Sequence, residues 1–195
     1  NSPVVDIPYD EIKSLGGNVI IIPPYQKLFS YHKALKSILK KSDYKIVHSH
    51  INTLSVFSLF AAKSAGTPIR IAHSHSTTNS KETKKNLLKV LLRPFSKLFA
   101  TDCFCCSELA GRWLFGNKKY DKGNVFLLNN AIDLNDYLYN ESIRNSKRQK
   151  LGIDDDTLVV GHIGRFVEQK NHRYLLDIFS EIHTIYKNSI LLLAG

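Results

Sequence analysis

The sequence predicts an α/β fold with a parallel sheet. Short apolar stretches alternate with segments of helical period, and this alternation pauses once, after residue 130, before starting again. Strands that alternate with helices pair in parallel and are covered on both faces. Such open sheets bind ligands outside the carboxyl ends of their strands, and His50, His75 and Ser107 all stand just past predicted strands.

The elements follow in order. "YDEIKSLGG" reads as a helix closed by glycines, and "GGNVIIIPP" (16–24) as a short buried strand stopped by two prolines. "YHKALKSILKKSDY" is a helix with Leu35, Ile38 and Leu39 on one face. "KIVHSH" (45–50) is a strand, and "TLSVFSLFAAKSAG" a helix whose Leu54, Phe57 and Ala61 share a face before Gly66 ends it. "IRIAHSHS" (69–76) is the next strand. A long basic helix, the strand "DCFCCS", the helix "ELAGRWLFG" and the strand "NVFLLNN" (124–130) complete a first domain over residues 1–130.

Residues 131–156 are polar and weakly apolar, and read as a linker. The pattern restarts with the strand "TLVVGHIG" (157–164), the loop "RFVEQKN", a helix over 172–187 and the strand "SILLLA". In that helix Leu175, Ile178, Phe179, Ile182, Ile185 and Tyr186 keep the helical period. Residues 157–195 thus form a strand, helix, strand unit that opens a second α/β domain.

Composition excludes several classes. With 43% hydrophobic residues, 10 Gly and 6 Pro among 195, the chain is globular rather than disordered or fibrous. No apolar run approaches the roughly 18 residues of a membrane span, and "NSPVVDIPYDE" is not a signal peptide, so the expected compartment is cytoplasm. Cys103, Cys105 and Cys106 crowd one apolar strand, a poor disulfide framework without metal-ligand spacing, and read as core. The net charge of +10 is uneven. Residues 1–130 hold 19 Lys plus Arg against 8 Asp plus Glu, and residues 131–195 hold 8 against 9. A basic first domain points to an anionic partner.

Three motifs carry chemistry. His48 and His50 in "VHSH", and His73 and His75 in "AHSH", lie two apart, so each pair sets two imidazoles on one face of its strand; His162 stands alone in "GHIG". Four imidazoles on neighbouring strands suggest a metal site. Against that, zinc sites usually draw on Cys or on helix-borne His, and no acidic residue lies in these stretches, so the preferred reading is a polar cleft with His50 and His75 outermost and no metal. The second motif is "GRFVEQKN". As a plain surface loop its Arg165 and Lys170 would be solvated. It leaves a strand and enters a helix, however, where backbone N–H groups favour an anion that Arg165 grips and Lys170 neutralises. Neither GxxxxGK[ST] nor GxGxxG occurs. The third is "SKETKKNLLKVLLRPFSKLFA". Lys81, Lys85, Lys89, Arg93 and Lys97 recur every four residues beside an apolar stripe of Leu88, Leu91, Leu92, Phe95 and Phe99, with Pro94 expected to kink or break the helix. This is either a half-buried helix with a solvated face or a surface for anionic lipid, with Lys85, Lys89, Arg93 and Lys97 facing the membrane.

"HIGRFVEQKNH", with "KIVHSH", "AHSHST", "CCSELAGRWLFG" and "NNAID", resembles the family 4 glycosyltransferases of the GT-B fold, in particular the bacterial capsular and exopolysaccharide enzymes. The likeness runs over nearly the whole chain. It implies two Rossmann-like domains facing across a cleft, with a nucleotide-sugar, UDP-linked, held mainly by the second. Arg165 and Lys170 match the residues that bind the donor diphosphate and stabilise the departing nucleotide, together with Gly164 and Asn171 of the same loop. His75 matches the family's cleft histidine near the transferred sugar, and His50, His73 and Ser107 fall on the acceptor side. Transfer with retention, no metal and no cofactor are implied, because cations do the work of a divalent ion.

The resemblance also implies a lipid-linked saccharide acceptor and peripheral attachment to the cytoplasmic face of the inner membrane. "NNAID" departs from the family's N-G-I-D at Ala131. The family's first strand and glycine-rich loop are expected before Asn1 and its E-x7-E element after Gly195, so this stretch alone is not expected to turn over. Two other classes compete: a non-catalytic sugar-nucleotide sensor or scaffold of the same fold, and a basic nucleic-acid-binding module. The densest cationic stripe is interleaved with Leu and Val rather than aromatics, so no nucleic-acid partner is expected.

Overall fold

The computed structural model describes residues 7–77 and 83–195, with the backbone alone for residues 83–86. The chain divides into two compact units, Asn1–Ala131 and Ile132–Gly195.

The first unit is built on four parallel strands, β1 (Ile46–Ser49), β2 (Ile69–Ser74), β3 (Asp102–Cys105) and β4 (Phe126–Leu127), adjacent in chain order. Ile46 lies opposite Ile69, Ile71 opposite Asp102, and Phe104 opposite Phe126. The helices are α1 (Tyr9–Ser14), α2 (Leu28–Ser42), α3 (Ser55–Ala65), α4 (Thr83–Ser96), α5 (Glu108–Phe115) and α6 (Asn117–Asp121). α3 ends because Gly66 takes φ +87°, a left-handed turn open to glycine, and donates its N–H back to Lys63.

Every second strand residue turns inward. Ala72, Cys103 and Cys105 meet Leu59 of α3 and Leu114 and Phe115 of α5, and Val125 completes the cluster. Cys103 and Cys105 are therefore core thiols, and burial pushes both up from their ordinary range. At this contact α5 needs Gly111, where a Cβ would lie 2.7 Å from Cys105 Sγ.

The second unit contains α7 (Glu141–Leu151), β5 (Leu158–Ile163), α8 (His172–Ile185) and β6 (Ser189–Ala194), with β5 and β6 parallel. Asn140 caps α7 by accepting from Ile143 N, and Gly152 closes it at φ +65°.

The structure departs from the sequence expectations in four places. Residues 16–24 form no strand: Gly16 turns the chain at φ +79°, the rest is without regular structure, and Ile20 and Ile21 are exposed. Pro23 and Pro24 offer no N–H, so the apolar run has little to give a ladder. Pro94 does not break α4; it forgoes its own N–H bond to the Val90 carbonyl, and the helix runs two residues further to Ser96. β4 is two residues long, extended by one bond from Leu128 N to the Cys105 carbonyl. The stretch 131–156, expected as a linker, holds a 3-10 turn (Leu134–Tyr137) and α7, and Arg148 of α7 donates to the Thr157 carbonyl at 2.7 Å, tying it to the second unit.

Candidate functional site

In the first unit the two His-Ser-His motifs lie on neighbouring strands, and their alternation divides the labour. The serines face the helices: Ser49 Oγ donates to Ser55 Oγ at 3.0 Å and pairs with Ser58 Oγ at 2.8 Å, both on α3, while Ser74 Oγ donates to the Ala110 carbonyl of α5 at 2.8 Å. All are buried, so these bonds are made away from competing water. The histidines therefore emerge on the opposite face.

There the four imidazoles form two hydrogen-bonded pairs. His48 Nε2 and His73 Nδ1 are 3.0 Å apart, and His50 Nδ1 and His75 Nε2 are 2.8 Å apart. Within each motif the rings lie close, with centroids 4.0 Å apart for the tilted pair His48 and His50 and 4.1 Å for the stacked pair His73 and His75. Phe104 of β3 meets His48 and His73 edge-on, at 5.5 and 6.0 Å. Burial holds His73 down to about 4, with the neighbouring imidazoles of His75, His50 and His48 adding to it. His48 and His50 are lowered for the same reasons, burial first. His48, His50 and His73 are thus held neutral near pH 7, able to accept a hydrogen bond but poorly suited to hold an anion.

Asn52 was not singled out by the sequence. It takes φ +51° beyond β1, accepts from the His75 N–H through Oδ1 at 2.7 Å, and donates through Nδ2 to Ser76 Oγ at 3.1 Å. A side-chain amide thereby clamps the loop that carries His75 to the loop that carries His50. The only sequence signal was an asparagine directly after "HSHI", a residue that tolerates the left-handed region. Ser107 is committed to structure as well: its hydroxyl caps α5 by accepting from Ala110 N at 3.3 Å.

In the second unit the predicted loop joins β5 to α8. Gly164 N donates to the Ala194 carbonyl at 2.7 Å, extending the ladder by one residue. A 3-10 turn (Glu168–Lys170) follows, then Asn171 at φ +48°, from which α8 starts. The Asn171 side chain makes no capping bond, so the first-turn N–H groups of α8 have no side-chain acceptor from it. Lys170 folds back over Gly164, where a Cβ would stand 3.3 Å from Lys170 Cε and 3.4 Å from His162 Nε2. Arg165 and Lys170 are exposed, and neither forms an ion pair among the described residues. Behind them His162 meets His172 edge-on at 5.1 Å, and Phe166 stacks on His172 at 4.8 Å.

The third motif is α4. Leu87, Leu88, Val90, Leu91 and Phe95, with Leu98 just beyond, are exposed. Arg93 of the expected stripe stands over the Trp113 ring at 5.9 Å, and Phe99 is half-buried, packed against the core and 5.0 Å from Phe60. Lys81 lies outside the described residues, as does the side chain of Lys85. Among the described residues no helix is long and apolar enough to cross a membrane.

Residues 8–136 match the glycosyltransferase family 4 domain, about two thirds of the chain. The chain belongs to glycosyltransferase family 4. Over 191 residues it is 32% identical to EpsF of Bacillus subtilis (strain 168), named as a glycosyltransferase, covering 95% of this chain and 50% of that protein. It is 23% identical over 206 residues to the UDP-Gal:alpha-D-GlcNAc-diphosphoundecaprenol alpha-1,3-galactosyltransferase of Escherichia coli, covering 100% of this chain and 52% of the relative. This family 4 chain therefore spans about half the length of the curated relatives it matches. Among solved structures, Anabaena Alr3699/HepE in complex with UDP-glucose superposes with a TM-score of 0.69 at 16% identity, over 95% of this chain and 58% of that one. At that identity the likeness shows the fold: α/β of the GT-B type, as the sequence predicted.

Proposed function

We propose that this family 4 chain is part of a retaining glycosyltransferase that moves a sugar from a UDP-linked donor to a lipid-linked saccharide during surface polysaccharide synthesis. The observation that carries the reading is the pair Arg165 and Lys170. Both are exposed, free of carboxylate partners among the described residues, and set between the end of β5 and the start of a fourteen-residue helix. A helix start whose N-cap residue Asn171 gives it no side-chain acceptor, together with two cations, favours a diphosphate. As the bond to the sugar breaks, negative charge gathers on the departing UDP, and preorganised cations at that point lower the barrier without a metal or cofactor. Gly164 and Asn171 contribute to the same loop.

His75 serves the sugar and acceptor end of the reaction, with His50 as its hydrogen-bonding partner and His73 and Ser107 behind it. The acceptor class is supported by the diphosphoundecaprenol-linked substrate in the name of the Escherichia coli relative. The UDP donor is supported by that same name and by the UDP-glucose bound to the Anabaena protein. A lipid-linked acceptor calls for an enzyme at the cytoplasmic membrane face, and the exposed apolar residues of α4 beside Lys89 and Lys97 suit peripheral contact with anionic lipid.

The test is a calorimetric titration of UDP at low salt into the protein and into the Arg165→Ala/Lys170→Ala variant. Loss of two charge-assisted contacts is expected to weaken binding by about a hundredfold. Undiminished binding by the variant would move the diphosphate elsewhere and remove the basis of the proposal.

A further inference from the structure

We propose that His48, His50 and His73, with His75 as a fourth donor, form a binding site for one divalent transition-metal ion of the zinc, nickel or copper class. The sheet register brings them together. Ligand nitrogens of His48, His50 and His73 all lie within 4.8 Å of one another. In a tetrahedral zinc site with bonds of about 2.0 to 2.1 Å, ligand nitrogens stand roughly 3.4 Å apart. The contacts between His48 and His73, at 3.0 Å, and between His50 and His75, at 2.8 Å, are already near that separation, and the wider gap closes by rotation of the exposed His50 ring.

His73 is 3% exposed and its Nδ1 already faces His48 Nε2, so its surroundings hold this donor in place before any ion arrives. Each N···N contact now holds one proton between two rings. Neutral imidazole frees its lone pair by moving that proton to its other nitrogen, so the ion enters by tautomer exchange with no net change in charge on the ligands. The serines anchored to α3 and α5 hold the strands that carry the rings, so the donor set is largely assembled before the ion arrives. All-imidazole sites suit zinc, nickel and copper and are poor for magnesium or calcium.

The consequence for the enzyme rests on the proposed function: an ion that takes His50 and His75 removes the hydrogen bond that orients His75, so these metals inhibit transfer. Binding itself is independent of that reading.

The experiment is a titration of Zn2+ into chelator-stripped protein by calorimetry, repeated with Co2+ to follow the visible absorption of a tetrahedral ion. The expected result is one ion per chain, with affinity falling by about tenfold or more in His50→Gln and further in His48→Ala/His50→Ala. His50 is exposed, so His50→Gln retains its fold, checked by circular dichroism, and keeps the measurement decisive if the double variant does not. Absence of stoichiometric uptake, or uptake unchanged in His50→Gln, overturns the site. UDP binding is measured on the same samples. Zinc uptake without UDP binding leaves the metal site standing while the functional reading fails, and UDP binding without zinc uptake does the reverse.

Discussion

Asn52 illustrates how much a single side chain positions. It holds the His75 N–H with one end of its amide and Ser76 with the other, from a backbone at φ +51°. Asn52→Gly keeps the backbone conformation accessible and removes only the amide. In the complete enzyme, on the role proposed for His75, the expected outcome is a fall of about tenfold in kcat with UDP affinity unchanged, since a misplaced His75 would cost rate rather than donor binding; an equal loss in donor binding would make Asn52 merely structural. His73 gives a second prediction. Its folded-state value is about 4 against an ordinary 6.5, in a setting where the facing titratable groups are His48 on β1, His50 just past it and His75 just past β2, and β3 sets Phe104 edge-on against it. Between those values the unfolded chain binds a proton that the folded chain refuses. Stability is therefore full above about pH 6.5 and falls as pH drops toward 4, by on the order of 2 kcal/mol by pH 4.5. Urea unfolding at pH 7 and 4.5 measures this, and His73→Phe is expected to remove most of the difference. The histidine pairs were legible in the sequence because period two is a property of any strand. Asn52 was not, since its role depends on a left-handed turn and on a loop 23 residues away.

At the scale of elements, the His-Ser-His strands show why pattern reading stops short. Alternation predicts two faces but not which is buried, and here the serines rather than the histidines face the helices. Ser74 is wholly buried and its bond to the Ala110 carbonyl joins β2 to α5. Ser74→Ala is expected to cost about 1 kcal/mol, the loss of one buried hydrogen bond, read as a lower urea midpoint with an unchanged slope. An unchanged midpoint would mean the bond adds nothing to the junction. The run 16–24 fails in the other direction: its composition is that of a strand, but pairing is decided by a neighbour with free ladder positions, which local sequence does not reveal. α4 was legible in its period and its cations, whereas the half-burial of Phe99 and the stacking of Arg93 on Trp113 arise from contacts with distant elements.

At the scale of the whole molecule, charge follows the division into units. The first unit holds 19 basic against 8 acidic residues and the second 8 against 9, so the excess of +11 belongs to the unit that carries α4. An excess that merely kept the protein soluble would have no reason to accompany exposed Leu87, Leu91, Phe95 and Leu98. Cations beside an apolar face are the combination that anionic bilayers bind, each cation adding on the order of 1 kcal/mol near the surface. Binding to vesicles of phosphatidylglycerol and phosphatidylcholine is therefore expected at low salt, weakening as salt screens the charges, and absent from phosphatidylcholine alone. Lys89→Glu/Lys97→Glu is expected to lower affinity by roughly thirtyfold, about 2 kcal/mol. Leu91→Ser/Phe95→Ser is expected to lower it without changing the salt dependence, because it removes apolar burial and leaves the charges in place. Equal binding to neutral vesicles, or indifference to both substitutions, would detach the basic excess from the membrane and leave α4 as a surface for some other partner.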